Sequence, residues 1–143
     1  MKTNAGLRKM LSDMGCHAPI RFARLHKAEG LCIPGIGIFI DKKHQTTPEP
    51  YLQAVVFHEV GHWRDPLVWL SLLAIPALFL MVYFLATTGS LKFLQAIYGL
   101  LVAGYFAGIW KERRADAYAR RHMADYDAYD KPFVPVDGGP SIR

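Results

Sequence analysis

Residues 66–110 read PLVWLSLLAIPALFLMVYFLATTGSLKFLQAIYGLLVAGYFAGIW, and Lys92 is the only residue among them with a formal charge. As an α-helix, residues 66–86 would span roughly 32 Å, about the thickness of the hydrocarbon core of a bilayer. A second apolar run covers residues 93–110, and the turn signal Thr87-Thr88-Gly89-Ser90 separates the two runs. The pattern predicts a helical hairpin that crosses a membrane twice.

The alternative is a buried hairpin in a soluble protein. The chain has 143 residues, so roughly 100 would remain outside the hairpin, too few to cover two uniformly apolar helices. Of the 17 lysines and arginines, only Lys92 lies between residues 66 and 110. Because positive charge marks the cytoplasmic side, we expect both termini to be cytoplasmic. The net charge of +5 favours contact with anionic lipid headgroups, since no nucleic-acid recognition motif accompanies it.

The rest of the chain predicts a mixed α+β arrangement. Thr47 is expected to be the N-cap of the central helix, with Pro48 in its first turn. Asp65 precedes Pro66, so it should end that helix and cap the next. The expected segments are an amphipathic helix over 3–14, a strand over 20–27, a strand over 36–40, the central helix over 47–64, a polar helix over 111–123 and an extended tail from 125.

The central helix contains His58-Glu59-Val60-Gly61-His62, an HExxH motif. Residues four apart lie on one face of a helix, so both imidazoles can bind one zinc ion. Glu59 is rotated by about 100° from His58, where it can reach a water molecule beside the ion without binding the ion itself. An HExxH also arises by chance, but the uncharged residues around this one suit a buried helix that carries a metal.

The third ligand is expected to be Glu112. An antiparallel hairpin returns the chain to the membrane face that it left, so Glu112 should lie within about 10 Å of the same surface as the histidines. Asp116 follows one turn later on the same helical face, where it can accept a hydrogen bond from a ligating imidazole. Asp65 lies seven residues after His58 and is the rival ligand, although a cap before Pro66 explains it better.

Several other polar residues receive simpler interpretations. Cys16 and Cys32 do not form a CxxC pair and are expected to be ordinary reduced thiols. Surface positions are expected for His17, His26 and His44. An oxyanion donor could come from one of four residues that follow Glu112, namely Tyr118, Arg120, Arg121 and His122.

HEVGH, two apolar spans and then ERRAD followed by Ala119 resemble the HtpX and CAAX-prenyl-protease class of integral-membrane zinc peptidases. These are gluzincins, with the pattern HExxH…ExxxD. The segment Pro34-Gly35-Ile36-Gly37-Ile38-Phe39-Ile40 resembles the strand that runs above the active site in that family. One departure is Glu29-Gly30-Leu31-Cys32, which stands where an Asn is often found ahead of the strand. In size the chain is closest to the minimal scaffolds called minigluzincins, with a hairpin inserted.

The resemblance implies a small zincin-like α+β domain, formed by residues 1–65 and 111–124, that is cytoplasmic and catalytic. Residues 66–110 would be the transmembrane hairpin and residues 125–143 an extended tail. Zinc would be held by His58, His62 and Glu112, with Asp116 behind them, and Glu59 would be the general base. The strand formed by Ile36, Gly37, Ile38, Phe39 and Ile40, if an exposed edge, would bind the substrate backbone by strand addition.

The function implied is that of a zinc endopeptidase cleaving extended, unfolded or membrane polypeptides at the cytoplasmic face of a prokaryotic inner membrane. Small residues in the second span, including Gly104 and Gly108, allow either packing within the hairpin or association into homo-oligomers. No nucleic-acid partner is expected. Two alternatives stay open: an inactive zinc-binding membrane adaptor, and a small hairpin protein that perturbs membranes.

Overall fold

The computed structural model describes residues 2–129, which form a helical protein with one small mixed sheet. The α+β expectation therefore holds at this level. The elements within these residues are α1 (Asn4–Asp13), β1 (Ile20–Ala23), β2 (Gly30–Ile33), β3 (Gly37–Asp41), a short 3-10 helix (Lys42–Gln45), α2 (Glu49–Arg64), α3 (Pro66–Thr88), α4 (Leu91–His122) and α5 (Tyr126–Tyr129).

The larger of two apolar clusters in the described residues joins α1, the sheet and α2. The side chains of Leu7 and Leu11 on α1 are each 1% exposed, because their spacing of four places both on one face of the helix. They pack with Ile38 and Ile40 of β3 and with Val56 of α2, among other residues. This core fixes the sheet against α2, the helix that carries the HExxH motif.

The order of the strands corrects the expectation for residues 36–40. The sheet runs β1-β3-β2, with β3 parallel to β1 and antiparallel to β2. Residues 37–41 are therefore the central strand, paired on both sides, so the condition of an exposed edge, under which residues 36–40 would bind a substrate backbone, is not met. Ile38 and Ile40 are fully buried, as a central strand requires, whereas Ile36 is 58% exposed in the preceding turn. The edges of the sheet are β1 and β2, and β2, a strand that the sequence did not predict, is the edge that lies beside Glu59 of α2.

The ends of α2 differ in how well they were predicted. Pro48, not Thr47, is the N-cap, and it offers no side-chain hydrogen bond. The Thr47 hydroxyl instead donates to the carbonyl of Lys43, 3.0 Å away. At the other end the prediction is confirmed, because α2 stops at Arg64 and the Asp65 carboxylate accepts a hydrogen bond from the Leu67 amide at the start of α3.

The helices α3 and α4 are both long and apolar enough to cross a membrane. Gly89 ends α3 with a left-handed φ of 62°, a conformation that glycine adopts without steric cost. In the most apolar window of each helix, only 6% of α3 and 0% of α4 is buried. The second apolar run and the polar helix predicted over residues 111–123 are one continuous helix, which passes residue 110 without a break.

Two further expectations are wrong. Residues 126–129 were predicted to belong to an extended tail, but they form α5, and Tyr126 is only 2% exposed; residues 130–143 lie outside the described part. His44 was expected at the surface but is 2% exposed. Its Nε2 lies 2.6 Å from the Glu29 carboxylate, a polar partner that allows it to be buried. His17 and His26 are exposed, as expected.

Helices α2 and α4 cross in close contact at Gly61. A Cβ atom added there would lie 2.8 Å from the Cα of Ala115 and 3.0 Å from its carbonyl oxygen. These are backbone atoms, which cannot move aside as the end of a flexible side chain can. Gly61 is thus the residue that lets the two helices approach.

We expect Gly61→Ala to lower the free energy of unfolding by about 1–3 kcal/mol, because the added methyl group overpacks the crossing. Thermal unfolding in mild detergent, followed by circular dichroism, measures the change. Gly99→Ala in α4 is the matched control, since a Cβ there meets no atom of the described residues within 4 Å. Equal stability of the two variants would show that the crossing is not tight.

Candidate metal centre

Helices α2 and α4 bring three potential metal ligands together. The Nε2 atoms of His58 and His62 lie 3.1 Å apart. Oε2 of Glu112 is 3.3 Å from Nε2 of His58, and Oε1 of Glu112 is 3.5 Å from Nε2 of His62. All three ligand atoms lie within 4.8 Å of one another, so the group could hold a metal ion. The proximity that the sequence predicted for these residues is present.

The spacing of these atoms suits a small tetrahedral ion. Zinc binds nitrogen and oxygen ligands at about 2.0–2.2 Å, which places neighbouring ligand atoms of a tetrahedron about 3.3–3.6 Å apart. The two nitrogens are 3.1 Å apart, and each has a different oxygen of Glu112 near it, Oε2 at 3.3 Å from His58 and Oε1 at 3.5 Å from His62. Three protein ligands leave a fourth position, as catalytic zinc sites do. The donor set could therefore hold a metal ion.

Asp116 and Tyr126 orient the first histidine. Oδ1 of Asp116 lies 2.9 Å from Nδ1 of His58 and accepts its hydrogen. The Tyr126 hydroxyl is 3.0 Å from the same oxygen and 3.1 Å from Nδ1. With the proton held at Nδ1, the lone pair of His58 is at Nε2, the atom nearest to Glu112.

Burial also favours the neutral form of the second histidine. Burial and then the neighbouring His58 ring lower the pKa of His62, while Glu112 acts in the opposite direction. A neutral imidazole is the form that binds a metal, so this environment prepares His62 as a ligand.

Glu59 lies beside the three ligands on the wall of the same cavity, whose volume is about 420 Å³. Its side chain is held beneath β2, where the Cys32 amide donates to the carboxylate. A Cβ at Gly30 would lie 2.6 Å from Oε1 of Glu59, so only glycine leaves room for this placement. The carboxylate is 6% exposed and faces the cavity rather than the apolar core.

The pKa of Glu59 depends on whether His58, His62 and Glu112 hold a metal ion. Burial, and to a smaller extent the charge of Glu112, raise the pKa of Glu59 to about 8, although the hydrogen bond from Cys32 acts in the opposite direction. A divalent cation bound to Glu112 and the histidines would offset the repulsion from Glu112 and favour the ionised carboxylate. The charge state of Glu59 therefore depends on whether a cation is bound beside it.

The remaining predicted residues lie elsewhere. Asp65 is 3% exposed, and its Oδ2 forms an ion pair with Nε of Arg114 at 3.2 Å, so it serves the fold as a cap and not as a ligand. None of the four candidate oxyanion donors lines the cavity around Glu59. Two of them, Tyr118 and Arg121, line a different cavity. Residues 36–40 do not line the cavity around Glu59 and the three candidate ligands (the metal cavity), whereas Gly30, Leu31 and Cys32 of β2 do.

Sequence reasoning missed Tyr126 and Gly30. The pair Tyr126 and Tyr129, spaced by one helical turn in a polar stretch, was the available signal for a buried α5. Gly30 gave no signal, because its role depends on the distance between β2 and α2.

Comparison with known protein families, with curated proteins and with solved structures finds no match to this chain. The geometry of the site and the residues that form it are therefore what indicates a function for this chain.

We expect Asp116→Asn to weaken zinc binding by about 10- to 100-fold, because the amide cannot accept the Nδ1 hydrogen of His58 as strongly as a carboxylate does. Tyr126→Phe should cause a smaller loss. Competition with a chromogenic chelator measures the affinity of the purified chain. Asp127→Asn is the control, since Asp127 pairs with Arg120 at the surface. Unchanged affinity in Asp116→Asn would contradict the assigned role.

Proposed function

We propose that this chain is a zinc-dependent endopeptidase anchored by its apolar hairpin to the membrane on whose cytoplasmic face it acts. The observation that carries the proposal is the cluster of His58, His62 and Glu112 with Glu59 on the wall of the same cavity. A site that only stabilises structure has no need of a buried carboxylate beside an open ligand position. A zincin-like arrangement of the α+β domain, as in the gluzincins, is part of the same proposal.

A zinc ion bound here would act as a Lewis acid that polarises a peptide carbonyl and makes water more acidic. Glu59 would accept a proton from the attacking water and later deliver it to the leaving amine, which makes it base and then acid. Asp116 and Tyr126 would keep His58 in one tautomer throughout.

The open edge of β2 offers a way to bind an extended substrate. The Asp41 amide donates to the Glu29 carbonyl, and the bonded pairs of an antiparallel ladder alternate. Given the register, the backbone groups of Gly30 and Cys32 point away from β3. The Cys32 amide is bonded to Glu59, which leaves the Gly30 amide and carbonyl and the Cys32 carbonyl to pair with a peptide. Strand addition is therefore proposed at residues 30–33.

The hairpin supports anchoring in a bilayer. Its helices are exposed along their apolar lengths, which in water would be a large apolar surface without a cover. All three tryptophans of the chain, Trp63, Trp69 and Trp110, lie at the root of the hairpin. Tryptophan favours the membrane interface, and the Trp69 indole donates to the Trp63 carbonyl at 2.9 Å. The root would then lie at the interface, with the metal centre next to the membrane.

We expect Glu59→Gln to reduce peptidase activity by about 10²- to 10⁴-fold while the chain keeps its zinc, because the amide cannot take a proton. Cleavage of unfolded casein or of a fluorogenic peptide library, together with metal analysis of the same samples, measures both properties. Glu49→Gln, in the exposed first turn of α2, is the control and should keep full activity.

A chelator should abolish the activity of the wild-type chain, and added zinc should restore it. Wild-type protein that binds zinc but cleaves no peptide would favour the inactive adaptor. A chain purified without chelator that contains no metal would leave only the membrane-perturbing alternative.

The topology is tested with single cysteines. A membrane-impermeant maleimide should label Thr88→Cys at the hairpin tip in intact cells, but label Ser12→Cys in α1 only after permeabilisation. The native thiols should give little background labelling. Cys16 is buried. The pKa of Cys32 is raised to about 12 by burial, Glu59 and Cys16, so little of the reactive thiolate forms. Labelling of both positions in intact cells would refute the proposed orientation.

A further inference from the structure

A second cavity of about 340 Å³ lies at the root of the hairpin and shares no lining residue with the metal cavity. Trp110, Arg114, Ala117 and Arg121 line it from α4. Their spacing of three or four residues places them on one face of α4, about half a turn from Glu112. The cavity therefore opens on the side of α4 that faces away from the metal centre.

The charge of this cavity is positive. Three arginines and one aspartate line it, which gives a formal charge of 3 − 1 = +2. Asp65 pairs with Arg114. The guanidinium of Arg64 donates to the carbonyls of Met14 and Gly15, which carry no formal charge. Arg121 has no partner within residues 2–129. Two guanidinium charges thus stay without a counter-ion in the part of the chain that the structure describes.

The cavity also contains an unused donor and an apolar wall. Tyr118 lines it, and the Tyr118 hydroxyl is buried without a hydrogen-bond partner among the described residues. Trp110, 60% exposed, ends the apolar run of α4, and Asp65 directly precedes α3. The arginines are therefore within about one to three helical turns of the residues at which the apolar run of α3 begins and that of α4 ends.

We propose that this cavity binds the phosphate of an anionic phospholipid headgroup. Arginine is suited to phosphate because its guanidinium presents several donors in a fixed plane. Basic pockets beside membrane helices bind lipid headgroups, and Trp110 and Ala117 offer an apolar surface to the glycerol backbone. The assignment depends on the membrane position of the hairpin that the proposed function includes, and does not depend on the zinc chemistry.

A lipid is favoured over free phosphate because of the position of the cavity. A soluble anion needs only charge, whereas this site combines uncompensated arginines with an exposed tryptophan at the end of an apolar helix. If the hairpin spans a bilayer, the phosphates of the adjacent leaflet lie at this depth and need not be recruited from solution.

Native mass spectrometry of the full chain in mild detergent, titrated with phosphatidylglycerol or phosphatidylcholine, tests the proposal. We expect phosphatidylglycerol to bind more tightly, and Arg121→Gln to weaken its binding about fivefold, since each basic group near a headgroup contributes that order of affinity. Arg121→Lys, which keeps the charge, should retain most of the binding. Arg113→Gln is the matched control, an exposed arginine on the same helix that does not line the cavity.

Three results would overturn the assignment. One is equal binding of the two lipids, and another is equal weakening by Arg113→Gln and Arg121→Gln. The third is displacement of phosphatidylglycerol by an equal concentration of inorganic phosphate, which would indicate a site for a soluble anion.

Alkaline extraction of membranes distinguishes a failed headgroup site from a failure of the hairpin to anchor the chain. A chain that stays in the membrane but shows no lipid preference refutes only the headgroup site, and a chain that is extracted refutes the anchor as well.

Discussion

The contact between α2 and α4 at Gly61 and Ala115 is the constraint from which the site follows. The histidines are on α2 and the carboxylate is on α4, so their distance depends on how closely the two helix axes approach. Small residues line the contact: Ala54, Ala115 and Ala119 are 1%, 0% and 0% exposed. A larger side chain at Gly61 would move the helices apart, and ligand atoms that are now 3.3 and 3.5 Å apart would no longer suit one ion.

The hairpin and the metal centre depend on each other through α4. This helix starts at the hairpin tip and runs 32 residues to His122, a length of about 48 Å. Because α4 continues without a break from the apolar run into the polar domain, the orientation of the hairpin fixes where Glu112 and Asp116 lie. The ion pair between Arg114 and the buried Asp65 holds the same helix to the junction of α2 and α3. The direction of the apolar hairpin and the position of Glu112 are therefore both set by one continuous helix.

The sheet contributes through its edge. Because β3 occupies the centre, β2 lies beside α2 and brings Gly30 and the Cys32 amide to Glu59. The Cys32 amide donates to the Glu59 carboxylate. The Glu59 side chain fits there only because residue 30 is a glycine without a Cβ atom. The same strand that positions the proposed base also offers backbone groups to a substrate, so peptide and base would meet at one edge.

Local spacing was enough to find the candidate metal ligands. Residues four apart share a helical face, which pairs His58 with His62 and Glu112 with Asp116 before any fold is known. The apolar length of residues 66–110 predicted a hairpin, and a hairpin returns Glu112 to the side of the histidines. Asp65 before Pro66 predicted a cap, because the residue before a proline avoids helical geometry.

The tertiary structure alone decided which strand is exposed, that Tyr126 joins Asp116 and His58, and that His44 is buried against Glu29. Strand order is not encoded in local alternation: the pattern of residues 36–40 suits a central strand as well as an edge, and pairing partners distant in sequence choose between them. Tyr126 and Gly30 act through neighbours 68 and 29 residues away in sequence. Their roles are set by the distances between packed elements, which no single segment of sequence determines.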